Sequence, residues 1–319
     1  MKKMLIFVCK IIDIVIIPFT LASSLLLKLV RRIGVDRMKM SKYIFYKVGL
    51  FPIRNHYYEP MFKMDELRHP LNNDRNLPGI NMNVEGQLQQ LNKFNYNDEI
   101  LAIAQRKIPG GYNFDNDLFG AGSADYLYNM IRFLKPKTII EIGCGHSTLM
   151  ALEAIDKNKS EDKTYHCQQI CIEPYERPWL EKLNVKLKRI PVEYIQPDYF
   201  KNLGENDILF IDSSHIIRPQ GDVVFEYLEI LPSLSSGVYV HIHDIFTPKN
   251  YPKRWIVDEI RLWNEQYLLE AFLTNNSEYQ IIGSLNYLHH HHFPELSAKC
   301  PTLKKYPDRE SSSIWLLKK

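Results

Sequence analysis

The sequence lacks a disulfide framework, a large charge excess and any internal repeat. Its five cysteines are odd in number, scattered and never spaced C-x-x-C. That pattern suits free thiols in a reducing compartment. A net charge of +3 is too mild to imply nucleic-acid binding, and no basic–aromatic interleaving suggests it, so no nucleic-acid partner is expected. Without repeats, 319 residues hold one large domain plus appendages. An apolar content of 45% against 24% charged residues excludes global disorder.

What is present begins with an apolar N-terminus. Met4 to Val30 is mostly apolar and Ile14 to Leu27 carries no charge, while Lys10 and Asp13 interrupt the earlier part. The uncharged piece is shorter than the roughly 18–20 residues of a clean membrane span, but the whole stretch reaches across when tilted. Lys28, Arg31, Arg32, Arg37, Lys39 and Lys42 follow at once. Such a cluster reads as a stop and places the downstream chain on the cytoplasmic side. A spanning helix, an interface-lying helix, a signal peptide (Lys2 and Lys3, then Leu21-Ala-Ser-Ser) and a packed helix all stay open. The expected division is a membrane-associated segment with a basic flank over 1–42, a cap or substrate-side region over 43–119, and a catalytic domain over 120–319.

The cap region is dense in aromatics and prolines from Phe51 to Pro60, and loop signals continue through Pro70, Asn72-Asn73-Asp74 and Pro78-Gly79. Helical periodicity covers Glu85 to Phe94 and Glu99 to Lys107, and Pro109-Gly110-Gly111 breaks it. A cap over a ligand edge and an ordinary surface meander are both compatible with this pattern.

The stretch with the most chemistry runs from Lys137 to Leu152. A β-branched run, Thr138 to Ile142, breaks into a Gly-x-Gly turn and resumes as a helical pattern from Ser147, with Glu141 near the strand's end. Gly143 and Gly145 let a ligand lie against bare backbone. A dinucleotide fingerprint wants a third glycine where Thr148 stands. Further strands follow at Gln169–Glu173, Val185–Ile190, Asp207–Asp212 and Gly237–Asp244, with helical patterns at Arg177–Leu183 and Asp222–Leu231 between them. Repeated strand-then-helix alternation predicts an α/β fold, a parallel sheet covered on both faces. Glu141, Glu173, Asp212 and Asp244 all fall at the strand ends, where such sheets bind ligands.

This run resembles motif I of class I S-adenosylmethionine-dependent methyltransferases, (E/D)-x-G-x-G-x-(G/S), with Ser147 in the last position. Residues Ile208 to Phe246 are similar to bacterial small-molecule and sugar O-methyltransferases, with Ile-Asp-Ser-Ser-His and a later His-Asp. The resemblance covers Gly120 to Leu273. It implies a doubly wound, mostly parallel, seven-stranded Rossmann-like sheet with helices on both faces, its last strand (Ser313 to Leu317) reversed beside Tyr279 to Gly283. It implies S-adenosylmethionine bound by Glu141, Gly143, Gly145, Ser147 and Glu173, the last on the ribose hydroxyls. Glu173 stands further from Gly143 than the usual twenty or so residues, and the charged stretch Asp156 to Lys163 accounts for the extra length as a longer connection.

Methyl transfer to a hydroxyl needs a nearby base, a metal or both. The resemblance implies a divalent cation, Mg²⁺ or Mn²⁺, on Asp212, His243 and Asp244, where relatives use Asp-Asp or Asp-Asn for the last pair. His215, three residues past Asp212, is the expected general base beside it, and His241 a packed core histidine. Trp255 to Leu273 has apolar residues at helical spacing, and His289–His292 reads as a solvated loop without ligand spacing. The expected function is an O-methyltransferase acting on a hydroxyl of a sugar, glycolipid or secondary metabolite at the cytoplasmic membrane face. The acceptor is a small molecule or glycan, and a homo-oligomer is left open. A nucleotide- or dinucleotide-using Rossmann enzyme and a non-catalytic membrane-associated binding module are the alternatives.

Overall fold

The computed structural model describes residues 2–319 apart from Lys107, Pro109, Glu176, Pro307 and Asp308, and apart from the side chains of Lys2 and Lys3. The predicted helix end at Lys107 and the predicted break at Pro109 lie outside the described residues. The chain divides into two compact units, Met1–Arg68 and His69–Lys319.

In the first unit, helix α1 (Lys2–Ile33) takes up the whole apolar stretch. Its apolar window is exposed throughout, and it is long and apolar enough to cross a membrane. Arg31 near its end pairs with Glu59, which also accepts the Arg54 guanidinium at 3.0 Å. A short helix, α2 (Lys39–Val48), buries none of its residues.

The second unit is built on a seven-stranded sheet. Ahead of it come α3 (Val84–Asn92), α4 (Asn97–Gln105) and α5 (Ser123–Leu134). Then β1 (Thr138–Ile142), α6 (His146–Glu161), β2 (Gln168–Ile172), β3 (Lys186–Lys188), β4 (Ile208–Ile211), α7 (Asp222–Phe225) and β5 (Tyr239–His243) follow. The chain closes with α8 (Glu265–Leu273), β6 (Tyr279–Ser284), α9 (Leu285–His291), α10 (Phe293–Lys299) and β7 (Ser313–Lys318). The order is β3-β2-β1-β4-β5-β7-β6, and only β7 runs antiparallel, to β5 and β6. This is the mostly parallel Rossmann-like sheet that the strand pattern predicts.

The alternation of side chains along each strand builds two cores. Ile139, Ile208, Phe210 and Trp315 face α5 and α6, where Met130, Ile131, Met150 and Ile155 meet them. Ile140, Ile142, Leu209, Ile211 and Val240 face the opposite side, under Phe200, Val223, Ile230 and Leu269. Both faces are therefore apolar, which is why the strands read as continuous hydrophobic runs. The strand order reverses between β1 and β4, and their carboxyl ends open a crevice there.

Three local expectations are corrected. The predicted helix at Trp255–Leu273 is interrupted: a single π-helical turn (Arg254–Asp258) gives way to irregular chain before α8. The irregular stretch lets the Arg261 guanidinium stack between the rings of Trp255 and Trp263, 4.6 Å from each. Arg177–Leu183 forms only a 3-10 turn, Pro178–Lys182. The histidine run is not a loop: His289, His290 and His291 end α9, which buries Leu285 and Leu288.

Candidate active site

A cavity of about 900 Å³ lies at the carboxyl ends of β1, β2, β4 and β5. Its floor is the loop from Gly143 to Ser147, and its walls include Glu173, the Asp212–His215 loop, His243, Asp244 and the strap Asn116–Ala121. Trp255 and Trp263 line it as well.

Gly143 holds a left-handed φ of +77°, and a Cβ there would strike the Asp212 carbonyl oxygen at 1.9 Å. No other residue fits that position without moving backbone. Glu141 does not line the cavity. It sits beneath the loop, where Ser147 Oγ donates to Oε1 at 2.6 Å and Gln169 Nε2 to Oε2 at 2.9 Å. Burial raises its carboxyl to about 7, against the opposing pull of those hydrogen bonds. Ser147, at the first turn of α6, thus ties the motif acid to the turn. Glu173, one residue past β2, turns its carboxylate to the cavity floor and accepts from the backbone N–H of Cys144 at 3.2 Å and Tyr175 at 2.9 Å.

The chemistry-bearing residues come from three segments. Asp212 and His215 follow β4, and the loop between them is fixed by Asp222 at the start of α7, which accepts the Ser214 N–H at 2.9 Å and hydroxyl at 2.7 Å. His243 ends β5 and Asp244 follows it. Both His215 (φ 60°) and Asp244 (φ 58°) adopt the left-handed backbone region. A non-glycine residue does so at a cost that the surrounding structure must offset.

The four side chains converge. His215 Nε2 lies 3.4 Å from Asp212 Oδ1 and 3.7 Å from Asp244 Oδ2. His243 Nδ1 lies 3.5 Å from Asp212 Oδ1 and 3.3 Å from Asp244 Oδ1. Burial would raise the Asp212 carboxyl, but His243 and His215 beside it outweigh that and hold it far below the usual carboxylate range. Burial would lower the His215 imidazole, but the carboxylates of Asp212 and Glu265 reverse this and raise it well above its usual value. Burial likewise opposes, and Asp244 and Asp212 overcome, a rise at His243. At Asp244 burial wins and the carboxyl is raised despite the neighbouring His243. The group is a compact, mixed N/O donor set with two acids.

Two further contributors escape sequence reasoning. Glu265, the first residue of α8, is fully buried and holds His215 Nδ1 at 2.6 Å through Oε2, while Oε1 accepts the Tyr227 hydroxyl at 2.9 Å. Ser312, just before β7, donates its hydroxyl to Asp244 Oδ1 at 3.1 Å. No motif points to either, because each reaches the site from a segment distant in sequence. His241 is a core residue as expected: its ring stacks on Trp315 at 4.3 Å, its nitrogens find no partner, and burial lowers it well below its usual value.

Residues 140–245 match the model of a family described as a methyltransferase domain. An uncharacterized protein of Archaeoglobus fulgidus is 27% identical over 177 residues, which is 50% of this chain and 76% of that one. Among solved structures, an O-methyltransferase from Bacillus cereus in complex with SAH superposes at a TM-score of 0.39 and 9% identity, over 73% of this chain and 91% of its own. A putative protein-L-isoaspartate O-methyltransferase from Plasmodium falciparum, in complex with S-adenosyl-L-homocysteine, gives 0.27 at 15% identity, over 49% and 83%.

Proposed function

From the premise that residues 140–245 match the model of a methyltransferase domain, we propose that the protein is a class I S-adenosylmethionine-dependent, cation-assisted O-methyltransferase acting at a membrane face. Its acceptor in this reading is a hydroxyl of a sugar, glycolipid or secondary metabolite. The observation that carries the reading is the convergence of Asp212, His215, His243 and Asp244 in a cavity floored by the glycine loop.

The cavity's size falls in the range of sites for cofactor-sized molecules. Gly143, Gly145 and Ser147 shape the floor, and Glu173 offers a carboxylate for a pair of ribose hydroxyls. Glu141 serves from below by holding Ser147 and Gln169 rather than by touching a ligand. S-adenosylmethionine brings an electrophilic methyl on sulfur, so this chain's residues need only position a hydroxyl in line and take its proton. That proton needs an acceptor at the cluster, where two carboxylates and two imidazoles stand together.

The donor set also fits a divalent cation. Two carboxylates and an imidazole nitrogen lie together, and His243 Nδ1 is buried there without a hydrogen-bond partner. Asp212 and Asp244 would hold the ion, which would lower the pKa of a bound hydroxyl. The exposed apolar helix α1 and the basic residues after it support membrane association, with the catalytic unit on the cytoplasmic side.

The test is transfer of labelled methyl groups from S-adenosylmethionine to glycan and lipid extracts, with and without chelator. Label appearing in a base-stable ether is the expected result. Cofactor binding without transfer to any extract would reduce the protein to a binding module.

A further inference from the structure

We infer that His215, through Nε2, is the third ligand of the cation at Asp212 and Asp244, and that Glu265 is the positioning residue that makes it one. The inference rests on the cation reading above and reverses the roles expected for the two histidines.

The argument begins at Glu265. Its carboxylate is fully buried, and Oε2 stands 2.6 Å from His215 Nδ1. The pairing with Nδ1–H donating to Oε2 is the one that leaves Nε2 free to face the cavity carboxylates. Any lone pair on the neutral ring is then on Nε2. The ring cannot turn away from this choice. Trp263 packs against it at 4.3 Å, and the His215 carbonyl accepts the N–H of Asn264 at 3.0 Å and of Glu265 at 3.2 Å. The start of α8 thus grips His215 by both backbone and side chain, in its left-handed conformation.

Nε2 faces two oxygens, Asp212 Oδ1 at 3.4 Å and Asp244 Oδ2 at 3.7 Å. Neither separation is a hydrogen-bond length. Two buried carboxylate oxygens gathered beside one imidazole nitrogen require positive charge among them, and a cation bound by all three supplies it. The three donor atoms lie within 4.8 Å of one another. A first-row cation bonded at about 2.0–2.2 Å to each donor sets neighbouring donors roughly 3–3.6 Å apart, close to the spacing observed. A carboxylate on the far nitrogen of a ligating histidine is the recurrent outer partner of such sites, fixing tautomer and ring orientation.

His243 is placed differently. Its Nδ1 looks at the other oxygen of Asp244, Oδ1, which Ser312 already engages. Among the described residues no carboxylate is recorded behind it to fix a tautomer, and its Nδ1 is buried without a hydrogen bond, facing the same acids. That orphaned nitrogen independently marks the cluster as a place that receives a ligand. One imidazole in the donor set shifts preference from Mg²⁺ toward ions such as Mn²⁺, Fe²⁺ or Co²⁺.

The experiment is Mn²⁺ binding by calorimetry to the full-length protein in detergent, with pulsed electron paramagnetic resonance for nitrogen coupling to the bound ion. The parent should show one histidine nitrogen coupled to Mn²⁺ and bind Mn²⁺ at least tenfold tighter than Mg²⁺. His215→Ala should abolish the coupling, and Glu265→Gln should weaken affinity by about 10–100-fold while melting within a few degrees of the parent. His243→Ala should retain the coupling. Coupling lost in His243→Ala and kept in His215→Ala would overturn the ligand assignment while leaving the cation in place. Absence of nitrogen coupling in parent protein that binds Mn²⁺ would overturn it without any variant. No binding of either ion would remove the cation itself, and this inference with it.

Discussion

Gly143 and Asp212 meet backbone to backbone: a Cβ added to Gly143 would stand 1.9 Å from the Asp212 carbonyl oxygen. The loop that floors the cavity and the loop that presents the acid are therefore one mechanical unit at the sheet's switch point. A shift of either loop would alter that contact.

Gly143→Ala tests that coupling. The left-handed φ and the backbone clash together are expected to cost about 2–5 kcal/mol. Urea unfolding should show the loss, and S-adenosylhomocysteine affinity measured by calorimetry should fall with it. A variant that melts and binds as the parent does would show that the two loops separate freely.

Glu173 is expected to hold the cofactor's ribose. Glu173→Ala should weaken S-adenosylhomocysteine binding at least tenfold, from the loss of charge-assisted hydrogen bonds of about 1.5–3 kcal/mol. Because the same carboxylate holds the Cys144 and Tyr175 N–H groups, Glu173→Gln serves as the control that keeps an acceptor for one of them. Unchanged affinity in the alanine variant would reject the ribose assignment.

Glu141 predicts a pH signature. Its carboxyl is raised by burial to about 7 from an ordinary 4.5, so the folded state favours the protonated form. Its contribution to stability is fully present below the unfolded value and is lost as pH rises through 7. The loss amounts to about 3 kcal/mol at most. Glu141→Gln should remove that slope, gaining on the parent as pH climbs from 5 to 8. Gln169 can turn its amide to suit, since its Oε1 has no partner. Parallel stability–pH curves for the two proteins would show that Glu141 is ionised throughout.

The sheet and most of the cluster were legible because a parallel sheet advertises itself. Ile139–Ile142 and Ile208–Ile211 are buried on both faces, and the residues after such runs sit at the ligand edge by construction. Asp212, His215, His243 and Asp244 follow from that rule. Glu265 does not. It lies fifty residues beyond His215, in a segment where Ile256, Ile260, Trp263, Tyr267 and Phe272 imitate one amphipathic helix. Stacking of Arg261 between two tryptophans and capture of Glu265 by His215 break that helix, and both are tertiary contacts. Glu141 misled for the opposite reason. Its strand position was right, but period-two alternation turns it under the loop, onto the face shared with Ile139 and Phe210.

Membrane attachment should map to the first unit. Full-length protein is expected in the membrane fraction, released by detergent and not by high salt, because α1 exposes its whole apolar window. Residues 69–319, a compact unit by themselves, should be soluble and bind S-adenosylhomocysteine as the full chain does. Full-length protein that stays in the supernatant at low salt would make α1 something other than an anchor.

The last expectation concerns Asp212, whose Oδ1 lies near both imidazoles, at 3.4 Å from His215 and 3.5 Å from His243. The two rings outweigh burial and keep this carboxyl ionised far below neutral pH, so the site retains a negative charge for a cation at every physiological pH. Asp212→Asn preserves shape and removes that charge. Because the contact with Gly143 is made by the Asp212 backbone carbonyl, which the substitution keeps, affinity for S-adenosylhomocysteine should change by no more than about threefold. Methyl transfer into glycan or lipid extract should drop by about 10²–10⁴-fold, and excess chelator should bring the parent to the same floor. A chelated parent at full activity would take the cation out of the reaction, and a fully active Asp212→Asn would take the carboxylate out with it.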